Sequence, residues 1–240
     1  MDNSEILLAK IAISKLKIKS KKIKSRRYNS KKNGKYIDLK KTFQKTIRNG
    51  TSSIALSFKN NKLESPPIVV ICDISGSMSN YSRMFLHFMH AIMDKKKRIS
   101  TFLFGTRLSN ITRYLKYYDI DIALNNVSEN VVDWSGGTRI GECLKDYNKF
   151  WAKRVQTGNS VVLIITDGLD RGSNNILGAE MERLKKTCKK IIWLNPLMRY
   201  EKYQTLATGA ATMQKYVDKM KKIHNLQSML EITSELNEDI

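Results

Sequence analysis

Oxygen donors gather at three points along this chain. The first is Asp73-Ile74-Ser75-Gly76-Ser77-Met78, directly after the apolar run 68–72 (IVVIC). The second is the glycine-rich stretch 133–141 (DWSGGTRIG), which leads into a helical pattern, and the third is Thr166-Asp167-Gly168 after the apolar run 161–165 (VVLII). From them the candidate donors are two carboxylates, Asp73 and Asp167, and three hydroxyls, Ser75, Ser77 and Thr138. Hard oxygen donors of this kind suit Mg²⁺, with Mn²⁺ or Ca²⁺ as alternatives, and disfavour zinc and copper. Alternation places Asp73, Ser75 and Ser77 on one side of their turn, and Gly76 lets the backbone bend there. A set with so little formal charge leaves a bound ion electrophilic, and Mg²⁺ keeps waters and an open position. The chemistry expected is adhesion, in which an Asp or Glu from another molecule completes the coordination sphere.

Competing chemistries fit less well. Ser75 and Ser77 lack a G-x-S-x-G context, and His87 and His90 fall some helical turns beyond the loop, so a nucleophilic triad is not expected. The SGGT stretch lacks the lysine of a P-loop and the full Rossmann fingerprint. A Mg-dependent hydrolase is the reading ranked last, because no general base accompanies the donors. His87, His90 and Asp94 read as a solvated helix flank, Cys72 as inert core, and Met84, Met89 and Met93 as core. Trp134, Arg139, Asp170 and Arg171 are the candidate contacts for a partner at the rim of the site.

The elements that must position these loops follow from patterning. Runs at 68–72, 99–104, 161–165 and 191–194 are apolar on both parities, as strands buried on both faces are. Tyr81, Met84, Phe85, Phe88, Met89 and Ile92 recur at helical spacing, and helices also fit 140–154, 175–187 and 222–233. The expectation is an α/β fold, a doubly wound and mostly parallel sheet with helices on both faces. Ligands of such sheets bind outside the carboxyl ends of the strands, where all three donor loops begin. No run is long and apolar enough to span a membrane, and the start of the chain is a poor secretion signal. The three cysteines (Cys72, Cys143, Cys188) are far apart, which points to a reducing cytoplasm rather than a disulfide framework.

Charge divides the chain. Of 240 residues, 43 are Lys or Arg and 22 are Asp or Glu, for a net +21. Positions 1–66 hold 18 basic and 4 acidic residues, so most of the imbalance lies at the front. The division expected is a basic, flexible segment at 1–35, a lead-in at 36–66 closed by Ser65-Pro66-Pro67, and a sheet domain over 67–235. In the lead-in, Ile37, Leu39, Phe43 and Ile47 are expected to share one helix face. Three readings of the lysine tract stay open: a solvated tail, a dock for an acidic partner, or a contact with nucleic acid or an anionic membrane.

DISGSM after an apolar strand, the GGT loop and the TDG strand end resemble the metal-ion-dependent adhesion site of von Willebrand factor type A domains. The resemblance narrows to the CoxE-like branch, grouped with carbon monoxide dehydrogenase accessory factors. It is carried by TFLFGTRLSNITRYL (101–115), DWSGGTRIGECLKDYNKFW (133–151), VVLIITDGLDRG (161–172), IIWLNPLMRY (191–200) and YVDKMKKIHNLQSMLEI (216–232). Members of that branch are commonly longer at the N-terminus. The resemblance implies a von Willebrand A, Rossmann-like fold with Asp73, Ser75, Ser77, Thr138 and Asp167 as the metal positions. The hydroxyls would bind directly, and the two carboxylates mainly through water. It also implies a non-enzymatic cytoplasmic partner of a MoxR-type AAA+ ATPase, acting in maturation or cofactor insertion of a metalloenzyme client such as a molybdenum hydroxylase. A nucleic-acid-associated basic protein is the second reading retained.

Overall fold

The apolar runs from residue 68 onward pair side by side, and their pairing order decides where a site can form. The computed structural model describes residues 22–48, 54–95, 98–117, 119–131, 137–156, 158–199, 207–225, 227–229 and 231–232. Two compact units divide the chain, one over Lys21–Ser65 and one containing everything from Pro66 onward.

The small unit is a three-stranded antiparallel sheet with one helix. Strand β1 (Ile23–Lys31) and strand β2 (Tyr36–Ile37) flank β3 (Phe58–Glu64), and helix α1 (Leu39–Arg48) connects β2 towards β3. Residues 23–31, expected within a flexible segment, are therefore a paired strand, and the compact unit reaches back past residue 35. The backbone ladder explains this, since β1 finds partners on β3 from Ile23 opposite Glu64 to Lys31 opposite Phe58. Tyr28 and Tyr36 meet edge to face at 5.6 Å, and the Lys59 ammonium lies 5.0 Å from the Tyr28 ring centre.

Helix α1 departs from expectation more sharply. Its buried residue is Thr42, whose hydroxyl accepts from the Ser57 N–H at 2.9 Å. Leu39, Phe43 and Ile47 do share a face, but it is turned outward, at 75%, 68% and 63% exposure. Ile37, expected on the same face, belongs to β2 instead.

The second unit is built on a six-stranded sheet in the order β6-β5-β4-β7-β8-β9. These strands are β4 (Ile68–Asp73), β5 (Ile99–Phe104), β6 (Leu108–Asn110), β7 (Val161–Ile165), β8 (Lys190–Asn195) and β9 (Lys219–Lys222). All neighbours pair in parallel except β5 with β6. The helices are α2 (Ser79–Lys95), α3 (Ile120–Asn130), α4 (Ile140–Asp146), α5 (Ala152–Val155), α6 (Asn174–Thr187) and α7 (Thr208–Gln214). Alternation along β4 separates two cores: Ile68, Val70 and Cys72 pack with α2 and α3, whereas Val69 and Ile71 pack with α4, α6 and α7. The doubly wound α/β architecture read from the sequence is the architecture observed.

Some local expectations fail for identifiable reasons. Strand β9, KMKK at 219–222, lies outside the expected strands and pairs with β8 at the sheet edge, where lysines suit solvent; of the helix expected over 222–233, residues 227–229 and 231–232 are helical, after a bend at 224–225. Helix α3 lies outside the expected helices; Ala123 and Val127 pack it on the core with Leu124 beside them, and Asp119 starts it by accepting from the N–H groups of Asp121 and Ile122. The helix expected over 140–154 opens into a π-turn at Tyr147–Trp151. There Asn148 is buried and donates to both the carbonyl and the carboxylate of Glu180.

Strand order places the site. The chain leaves β4 for β5 and β6 on one side, then returns to β7 on the other side of β4. A crevice forms where two neighbouring parallel strands send their connections in opposite directions. Asp73 ends β4, and Thr166 and Asp167 directly follow β7.

Candidate metal centre

Asp73 is wholly buried, which a carboxylate tolerates only with partners. Its Oδ1 accepts from the Ser75 N–H at 2.8 Å, and its Oδ2 accepts from the Thr166 hydroxyl at 2.7 Å. The first bond folds the chain back immediately after β4, and the Ile74 N–H donates to the Phe104 carbonyl at 2.9 Å, tying that turn to β5. A short 3₁₀ turn over Gly76–Met78 follows, closed by the Met78 N–H on the Ser75 carbonyl. The turn brings the Ser75 and Ser77 hydroxyl oxygens to 3.2 Å from each other, with Ser75 buried and Ser77 exposed. Both serines thus present oxygen where interior meets solvent.

The β7 loop is braced from below. Thr166 donates to Asp73, and its hydroxyl also accepts from the Gly168 N–H at 3.1 Å. Its carbonyl accepts from the indole N–H of buried Trp193 at 2.8 Å. Asp167 is buried, and its Oδ1 accepts from the Leu169 N–H at 3.0 Å. Gly168 takes φ +82°, a left-handed conformation, and a Cβ there would stand 2.9 Å from Trp193 Cζ2 and 3.0 Å from Ala210 Cβ. Only glycine meets both demands without strain.

Thr138 is buried and held between two other loops. The Arg171 N–H donates to its carbonyl at 3.0 Å, and the adjacent Arg139 N–H donates to the Gly105 carbonyl at 3.0 Å. Asp170 clasps the same region, its Oδ1 accepting from the Ile140 and Gly172 N–H groups, each at 3.0 Å. All five residues singled out by their types therefore lie on the loops at the carboxyl end of the sheet.

Electrostatics favour a cation. Burial pushes the Asp73 carboxyl up to about 6, and the like charge of Asp167 pushes the same way; the hydrogen bonds from Ser75 and Thr166 pull down but do not prevail. A divalent ion would supply positive charge to two carboxylates that feel one another at the carboxyl end of the sheet. Among the described residues, no group of three or more His, Cys, Asp or Glu gathers anywhere as a metal-binding cluster. The donor set at these loops is instead a mixture of carboxylate and hydroxyl oxygens, which fits a hard divalent ion.

A family model described as "VWA domain containing CoxE-like protein" matches residues 9–229. The chain belongs to the CoxE-like von Willebrand factor type A family. Comparison with curated proteins gives no match. Among solved structures, a von Willebrand factor type A protein from Catenulispora acidiphila is 14% identical at TM-score 0.53, covering 75% of this chain and 43% of that one. Proximal thread matrix protein 1 from the mussel byssus is 15% identical at TM-score 0.48, covering 72% of this chain and 47% of its own. BatB from Bacteroides thetaiotaomicron is 14% identical at TM-score 0.47, covering 73% and 98%. The chain thus spans about half the length of the first two of these structures.

Within this von Willebrand A domain the rim residues divide. Arg139 and Arg171 are exposed, and Trp134 lies outside the described residues. Asp170, expected to reach outward to a partner, turns its carboxylate inward as the clasp on Ile140 and Gly172. His90 is engaged with the Tyr117 carbonyl at 2.8 Å, and His87 is buried on α2. Thr166 and Trp193 escaped functional notice in the sequence. Thr166 could have been found as the hydroxyl in the strand-end TDG; Trp193 sits in an apolar run like any core residue.

Proposed function

We propose that this chain is a non-enzymatic, cation-dependent protein-interaction module. Asp73, Ser75, Ser77, Thr138 and Asp167 hold a divalent ion, Mg²⁺ in the first instance, with Mn²⁺ or Ca²⁺ as substitutes. The carrying observation is the buried Asp73 carboxylate, anchored on both oxygens while the hydroxyls of buried Ser75 and exposed Ser77 converge beside it. When bound, the ion supplies an open electrophilic position to which a partner's Asp or Glu adds. The residues of the chain do the rest: Thr166 and Ser75 orient Asp73, and Asp170 and Arg171 hold the Thr138 loop in place. The loops at 73–78, 137–140 and 166–172 contain no histidine to serve as general base, which supports adhesion over hydrolysis.

Family resemblance supplies the finer reading. The partner that binds through the ion is a metalloenzyme client, and a MoxR-type AAA+ ATPase supplies the work of cofactor insertion or maturation in the cytoplasm. Titration calorimetry with Mg²⁺, Mn²⁺ and Ca²⁺ tests the site, and co-purification of the ATPase and client with and without EDTA tests the partnership. Saturable ion uptake lost in Asp73→Ala is the expected result. Absence of uptake of all three ions would overturn the site, and EDTA-insensitive capture would overturn the role of the ion in binding.

A further inference from the structure

Helix α1 of the small unit is built inside out. Its polar residue Thr42 is the buried one, receiving the Ser57 N–H, while Asp38 anchors the first turn through the N–H groups of Lys41 and Thr42. These bonds attach the helix without using its apolar side chains. Leu39, Phe43 and Ile47, spaced by four, remain as a ridge exposed at 75%, 68% and 63%. The helix LKKTFQKTIR contains no acid, and Lys40, Lys45 and Arg48 accompany the ridge. Over Lys21–Ser65 there are 14 Lys or Arg and 2 acidic residues, a net +12 in 45 residues.

We propose that α1 docks on an anionic lipid bilayer, with the Leu39–Phe43–Ile47 ridge among the acyl chains and the basic side chains at the headgroups. Charge complementarity selects the occupant. A basic helix with one apolar face is suited to lying in a membrane interface, and anionic lipid presents negative charge and apolar depth at the same surface. Nucleic acid matches the charge but offers aliphatic side chains nothing comparable to hydrocarbon. A bilayer also deforms around a convex ridge, whereas a protein partner must carry a groove of matching shape. The proposal is independent of the cation site, so it is tested in EDTA.

The experiment is vesicle flotation of the full chain. One population is phosphatidylcholine alone, and the other contains about a third phosphatidylserine. Partitioning onto the anionic vesicles should exceed that onto neutral ones by about tenfold or more and weaken with added salt. Leu39→Asp combined with Phe43→Asp should reduce it by about tenfold or more, and Lys40→Gln combined with Lys45→Gln should reduce it to a smaller degree. Unchanged circular dichroism melting keeps the comparison clean, since every altered side chain is exposed. Failure to float with anionic vesicles overturns the proposal. So does flotation indifferent to the double Asp variant, which would reduce the effect to bulk charge. Binding of single-stranded RNA without vesicle binding would overturn it in favour of nucleic acid. Self-association abolished by the double Asp variant, again without flotation, would overturn it in favour of a second copy.

Discussion

The small unit and the sheet domain break the same rule in opposite directions. Apolar inside and polar outside is the default, so a buried polar group or a large exposed apolar patch is what carries information. In the sheet domain every residue of β4 is buried, including the carboxylate that ends it. There the interior accepts polarity because each oxygen of Asp73 has a donor. In the small unit the interior position of α1 goes to a threonine and the aliphatic side chains are put outside. One region concentrates negative charge where protein shields it, and the other presents positive charge beside apolar surface. Each departure marks a place where the fold alone is not the whole purpose of the residues.

Substitutions can break or sharpen that contrast, and the largest effect is expected at Asp73. Asp73→Ala should lower divalent-ion affinity by about 100-fold, read by calorimetry, because it removes both charge and the orienting acceptor for Ser75 and Thr166. Bilayer partitioning should be unaffected, which keeps the two regions separate. Gly168→Ala comes next. It forces a side chain into left-handed backbone and against Trp193 and Ala210, so urea unfolding should show a loss of about 2–3 kcal/mol. Thr42→Val tests whether the small unit really depends on its inward hydroxyl. Leaving the Ser57 N–H without an acceptor should cost about 1–2 kcal/mol, seen in the same unfolding experiment.

A smaller effect concerns pH. Burial raises the Asp218 carboxyl, but hydrogen bonds from Lys185 and the Ile191 N–H, with the charges of Lys185 and Lys190, outweigh it and hold the group below its usual range. A depressed carboxyl contributes stability that is complete above the unfolded value, about pH 4, and is lost as pH falls through the folded one. Asp218 also caps the Ile191 N–H at 2.8 Å where β8 runs beside β9. Solvent screening at this half-exposed position limits the ionic part to about 1 kcal/mol or less. Asp218→Asn should flatten the acid limb of a stability-against-pH curve by that amount.

How much of this was legible in sequence depended on whether the deciding force was local. Strands β4, β5, β7 and β8 were readable because burial on both faces leaves an unbroken apolar run. The placement of Asp73, Ser75, Ser77, Thr138 and Asp167 at the carboxyl end of the sheet was readable because each follows such a run or, for Thr138, leads into a helical pattern. Thr166 was harder, since its use depends on β7 lying beside β4, a pairing between residues about a hundred positions apart. Strand β9 was not legible because the lysines in KMKK carry no inward signature; its edge position and its pairing with β8 define it. Helix α1 exposes the deepest limit. Its periodicity was visible, but periodicity gives a face without saying which way that face points, and the Thr42–Ser57 bond reverses the usual answer.

The smallest expected effect is therefore the most pointed test of the comparison. Phe43→Ser removes a whole aromatic ring, and at a core position such as Phe102, fully buried between β-strands and Tyr147, losing the ring costs about 3–5 kcal/mol. At Phe43 the same loss should leave unfolding free energy within about 0.5 kcal/mol of the parent, since solvent already surrounds most of the ring. Serine is also a poorer helix former than leucine or alanine, so any small loss that does appear should be matched by Phe43→Thr and relieved by Phe43→Ala. A cost of several kcal/mol for all three would mean that the ridge is covered by protein in solution and that α1 is an ordinary amphipathic helix with its partner in place. Near-neutrality would leave the ridge free, and a chain that maintains three large apolar side chains in water at no benefit to its own stability is keeping them for contact with something else.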